Sequence, residues 1–169
     1  MKIFLILSGF QITWLSSIFG EYYNYPLLGF IVGILYLFIF FRFIKIKTNL
    51  LFLYLFFSII GYTFDTILSY NNLYYFNSAF NVGYLPIWLL TLWLSFNTLL
   101  LSVLIFLRNR IILSFILGSI LGPLSYYSGI PLNISYTTNI YLAFILMFFF
   151  WGLFMSLYSK VIEIYFNKL

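Results

Sequence analysis

Six apolar runs of about spanning length, parted by short loops, leave this chain little choice of fold. They cover residues 3–20, 26–41, 50–69, 86–107, 111–128 and 139–158. A helix needs about 20 mostly apolar residues to cross a bilayer. In lipid the backbone must satisfy its own polar groups, which a helix does within each span. Hydrophobic residues make up 64% of the chain and charged residues 7%; ordinary soluble domains are about 25% charged. A fold of 169 residues cannot hide so much apolar surface from water. The expected fold is all-α: a polytopic membrane protein, a six-transmembrane-helix bundle formed as a single domain over residues 1–169. Lys2 before Ile3-Phe4-Leu5 resembles the start of a signal peptide. No small-x-small cleavage site follows, and the run continues through Gln11 and Trp14, so it reads as a retained helix.

The loop charges set an expected orientation. If six helices alternate, Lys2, Arg42, Lys45, Lys47, Arg108, Arg110, Lys160 and Lys168 all fall on one side, and Glu21 falls on the other. The positive-inside rule then places both termini in the cytoplasm. The net charge of +5 reads as this topology signal and not as a nucleic-acid surface.

Missing residue types exclude much chemistry. Cysteine and histidine are both absent. That removes disulfides, thiolate or histidine metal sites and any Ser-His or Cys-His nucleophile pair. Glu21, Asp65 and Glu163 are the only acidic residues, too few for a protein metal cage. No metal and no cofactor is expected. A retinal protein would need a lysine within a span, and a phosphate-handling enzyme would carry basic or glycine-rich motifs; neither is present.

One polar residue stands out against this background. Asp65 is the only acidic residue inside an apolar run. A carboxyl group at a helix centre costs roughly 2.5–3.5 kcal/mol on insertion scales, so it faces protein or a wet cavity. Run three travels outward, which sets Asp65 about one turn below its outer end, roughly 6 Å deep at 1.5 Å per residue. The same reckoning brings Tyr126, Trp88 and Tyr62 to the outer third, with Gln11 nearer the middle. The expected polar site is therefore Asp65, Tyr126, Gln11, Trp88 and Tyr62, a small outward-facing pocket with Asp65 at its base. Two plainer readings compete: Trp88 and Tyr127 suit the interfacial aromatic belt, and Asp65 suits a packing hydrogen bond to Tyr126 or Gln11.

Small residues mark the expected helix contacts, because lipid gives no hydrophobic drive between helices. Gly29 and Gly33 share a face of run two, and Gly61 lies beside Asp65 in run three. Run five has Ser114, Gly118 and Gly122 at four-residue spacing, followed by Pro123. Short loops make sequence neighbours the expected packing partners.

Several of these residues carry a resemblance. Phe10-Gln11-x-x-Trp14, Gly61-x-x-x-Asp65, Pro86-x-Trp88 with Leu92-Trp93 and Phe96, and Gly118-x-x-x-Gly122 leading into the segment Gly122-Pro123-Leu124-Ser125-Tyr126-Tyr127-Ser128-Gly129 resemble the DUF2878 family, over nearly the whole chain. The resemblance implies a small, uncharacterised multi-pass protein of the bacterial inner membrane. Members often carry an Asn-His-Ser segment in the fourth helix, where this chain reads Leu100-Leu101-Ser102.

The expected function is non-enzymatic: binding or moving a small or lipidic molecule at the outer-leaflet side around Asp65. The partners are the lipid bilayer and that molecule, without nucleic acid. Two alternatives stand beside it, an accessory subunit of a membrane complex and an intramembrane lipid-modifying enzyme. General acid–base catalysis normally needs more than one positioned titratable group, and the spans offer one carboxyl group and several tyrosines.

Overall fold

Alternating apolar runs become alternating helices. The computed structural model describes residues 2–167, so Lys168 lies outside the described residues. The six helices are α1 (Lys2–Tyr22), α2 (Leu28–Phe43), α3 (Thr48–Tyr70), α4 (Ile87–Ser102), α5 (Ile111–Tyr127) and α6 (Ile140–Asn167). By length and composition, α1, α3 and α6 are able to cross a membrane; α2, α4 and α5 are shorter apolar helices.

The bounds differ from the sequence expectation at three places. Pro26 sits in the turn before α2, which begins at Leu28. Run four does not stay α-helical to residue 107: α4 ends at Ser102 and a 3-10 turn, Leu104–Leu107, follows. Ser159 of α6 holds the far end of that turn, donating to the Leu107 carbonyl at 2.7 Å and accepting from the Arg110 N–H at 3.2 Å. Finally, α6 runs on past residue 158 to Asn167, carrying Lys160 and Glu163 on its last turns.

Small residues decide which helices approach. A Cβ on Gly29 would collide with Ser17, and one on Gly33 with Thr91 and Thr13, so α2 lies close against α1 and α4. Gly118 faces the Trp151 backbone and Gly122 the Trp151 ring, which fixes the α5–α6 hairpin. Sequence neighbours are not always partners. α1 pairs with α2 and α5 with α6, while α4 packs on α1, α2 and α3 and forms the centre. The α5–α6 hairpin joins this centre through aromatic side chains, including Phe57–Phe154 at 5.3 Å and Trp93–Trp151 at 5.2 Å between ring centroids.

The interhelical loops at one end are stitched together. Short antiparallel pairs join β1 (Tyr75–Phe76) to β4 (Ser135–Tyr136) and β2 (Asn81–Val82) to β3 (Leu85–Pro86). Gly83, with φ +67°, occupies the first position of the two-residue turn between β2 and β3, where a positive φ suits the strand twist. The Tyr74 hydroxyl donates to the Tyr126 carbonyl at 2.7 Å and is joined to Ser135 Oγ at 2.6 Å, tying the α3–α4 loop to the end of α5. Burial holds this hydroxyl above the usual tyrosine pKa. At the opposite end Arg108 stacks on Phe166, 5.3 Å from the ring centroid.

Candidate functional site

Asp65 is a buried clasp. Its side chain is 2% exposed, enclosed by α3, α4 and α5. Trp93 Nε1 donates to Oδ2 at 2.6 Å, and the Tyr126 hydroxyl donates to Oδ1 at 2.6 Å. Each carboxyl oxygen therefore holds one aromatic side chain from a different helix. Gly61, one turn before Asp65, leaves the room in which the Trp93 indole lies flat on α3.

Trp93 and Tyr126 are also wall residues of a cleft. A cleft of about 580 Å³ runs between α1 and α5, which stand apart, with α4 between them. That size falls within the ordinary range for ligand sites, which are mostly apolar with a few placed polar groups. Trp93 stacks on Trp151 with an interplanar angle of 13°, and Phe96 meets both rings edge-on. Gly122 gives the Trp151 indole its seat on α5, so each stacked ring rests on a glycine of a neighbouring helix. The chain has 4 tryptophans, and Trp14, Trp88, Trp93 and Trp151 all line this cleft.

The sequence-predicted site residues divide accordingly. Tyr126 touches both Asp65 and the cleft. Gln11 lines the cleft from α1 but is not a partner of Asp65. Trp88 lines the cleft at its loop end, where its Nε1 donates to Glu21 Oε1 at 2.8 Å; Ser78 donates to the same oxygen. Tyr62 is turned away, its hydroxyl reaching the Val82 carbonyl at 3.4 Å in the α3–α4 loop. The expected pocket with Asp65 at its base is thus corrected. The carboxyl group lies behind the wall, and its two hydrogen-bond partners face the cavity. The sequence placed Trp93 only by its depth and within the family resemblance, and did not single out Trp151. Their signal was the restriction of tryptophan to so few positions in a phenylalanine-rich chain.

The packing residues surround the same place. Gly118 and Gly122 line the cleft, and Pro123 lies buried within α5 directly after them. Proline has no N–H, so the Ser119 carbonyl is relieved of its helical partner there. Among the described residues, no group of acidic side chains is able to hold a metal ion.

The family model described as "Protein of unknown function (DUF2878)" matches residues 3–157. This chain belongs to the DUF2878 family. The match covers all of the DUF2878 member's cleft wall, from Phe10 to Met155. No curated protein and no solved structure matches the chain.

Proposed function

We propose that this DUF2878 member is a non-enzymatic, multi-pass protein of the bacterial inner membrane that binds a lipidic molecule in the cleft between α1, α4 and α5. The observation carrying this reading is the cleft itself: about 580 Å³, walled by all four tryptophans and bounded largely by apolar side chains. An apolar wall of that length suits an acyl or isoprenoid chain, whose burial is favourable by about 0.8 kcal/mol per CH₂. Asp65 acts as a positioning residue. By holding Trp93 and Tyr126 it fixes the wall that the chain lies against. All six helices span the bilayer in this reading, with both termini and the basic loops in the cytoplasm. The wedging of the small-residue faces within the chain speaks for a self-contained bundle and against the accessory-subunit alternative.

Intrinsic tryptophan fluorescence tests the proposal, since every fluorophore of this type borders the cleft. Purified protein in micelles is titrated with a brominated fatty-acyl probe at low mole fraction. Saturable quenching that disappears in Leu117→Phe/Leu121→Phe, two cleft-lining positions, is the expected result. Quenching that is linear, or identical in the two proteins, would show only random partition into the micelle.

A further inference from the structure

The side chains that line the cleft differ sharply in exposure, and the pattern locates its opening. At the loop end Tyr74, Trp88 and Ile134 are buried. Three segments close over them. β1 pairs with β4, the Asn77 N–H donates to the Ile134 carbonyl at 2.9 Å, and the Thr137 hydroxyl donates to the Leu73 carbonyl at 2.7 Å. Glu21, at the end of α1, accepts from Ser78 in the α3–α4 loop and from Trp88. The end of α1 and both loops are thereby tied together across this end. The opposite end is closed as well. Leu107, held by Ser159, is 1% exposed, Met155 is buried, and Leu104 packs against Ile6, Phe40 and Leu99.

The flank is different. Leu121 and Leu124 of α5 are 59% and 56% exposed, and Ser125 and Gln11 are exposed with them. Here α1 and α5 stand apart. Gln11 and Leu121 lie near the middles of their helices, at hydrocarbon depth in the proposed span. On both sides the rim continues into exposed apolar surface, Ile12 and Leu15 on α1 and Ile116 and Ile120 on α5. No Asp, Glu, Lys or Arg lines the cleft among the described residues. An opening at this depth meets lipid chains and not water. A hydrated solute would have to shed its water to arrive there, without polar partners to replace it.

We infer that the cleft is a blind pocket with a lateral portal between α1 and α5, and that it exchanges its occupant with the bilayer alone. The ligand is a lipid resident in the membrane, taken up and returned sideways, and not a solute drawn from either aqueous face. With both ends closed, the protein holds its lipid within the membrane and does not pass it to water. This deepens the proposed function and rests on it.

The test uses the purified full chain in micelles, where introduced thiols have no native competitor. Gln11→Cys/Leu121→Cys puts one thiol on each lip of the portal, to be bridged by a bismaleimide and confirmed by mass. Tyr75→Cys/Tyr136→Cys puts them on facing residues of β1 and β4, outside the cleft wall, where oxidation locks the loop end. Uptake and release of the brominated fatty-acyl probe are followed by tryptophan quenching. The expected result is that the bridged portal abolishes uptake by empty protein and, when bridged after loading, traps the probe. Trapping separates closure of the portal from mere filling of the cleft by the bridge. Gln11→Cys and Leu121→Cys, each capped singly with N-ethylmaleimide, and the locked loop pair are expected to exchange as wild type does. Undiminished exchange through the bridged portal, or exchange slowed by the loop lock, would overturn the inference while the cleft reading stands. Absence of saturable quenching in the unmodified protein would overturn the cleft reading as well.

Discussion

Asp65 shows how one costly side chain is made useful. Its two oxygens are matched to two aromatic donors on α4 and α5. Asp65→Asn keeps the shape but replaces one acceptor oxygen with an NH₂ group facing a donor. A buried donor left without an acceptor costs about 1–3 kcal/mol. Thermal unfolding in detergent should therefore show a clearly lowered midpoint, together with weaker saturable quenching by the brominated probe. Unchanged stability and binding would remove Asp65 from its positioning role. Part of this contact was legible in the sequence: a lone carboxyl in run three and a tyrosine at the same depth in run five. Gln11 was not separable from them, because depth along a helix says nothing of which way a side chain turns around it. Trp93 was placed at the right depth but not tied to Asp65, because a tryptophan at that depth also suits the interfacial belt.

At the scale of elements, glycines do the fitting and aromatic rings do the bridging. A Cβ on Gly122 would strike the Trp151 ring, and one on Gly61 the Trp93 ring. Both indoles are stacked and have little freedom to yield. Gly122→Ala and Gly61→Ala are expected to destabilise by about 1–3 kcal/mol, the usual cost of overpacking. Ile120→Ala, at a half-exposed position on the outer surface of α5, should change stability far less; equal losses in all three would show that the glycine seats are unimportant. The six helices were visible as apolar runs, and the small-residue faces were visible as spacings. The end of α4 at Ser102 was hidden because the apolar run continues through Leu107. The 3-10 turn that follows is held at its far end, Leu107 and Arg110, by Ser159, far away in sequence. The centrality of α4 was hidden for a related reason. Short loops suggest neighbours, but α2 wedges its Gly33 against Thr91 instead of against α3.

At the scale of the whole molecule, the proposed membrane orientation rests on charge placed at one end. The absence of cysteine makes this directly testable, since any introduced thiol is the only one present. Tyr23→Cys and Ala79→Cys, both exposed near the Glu21 end, should react with a membrane-impermeant maleimide in intact spheroplasts. Lys45→Cys, exposed at the opposite end, should react only after lysis. The reverse pattern would invert the proposed topology. The central claim, that the cleft holds a lipidic molecule, is tested most directly by native mass spectrometry of the protein extracted in mild detergent. Wild type is predicted to carry one tightly held apolar-chain molecule that Leu117→Phe/Leu121→Phe lacks. A wild-type spectrum of bare protein, or equal lipid retention by both, would contradict it.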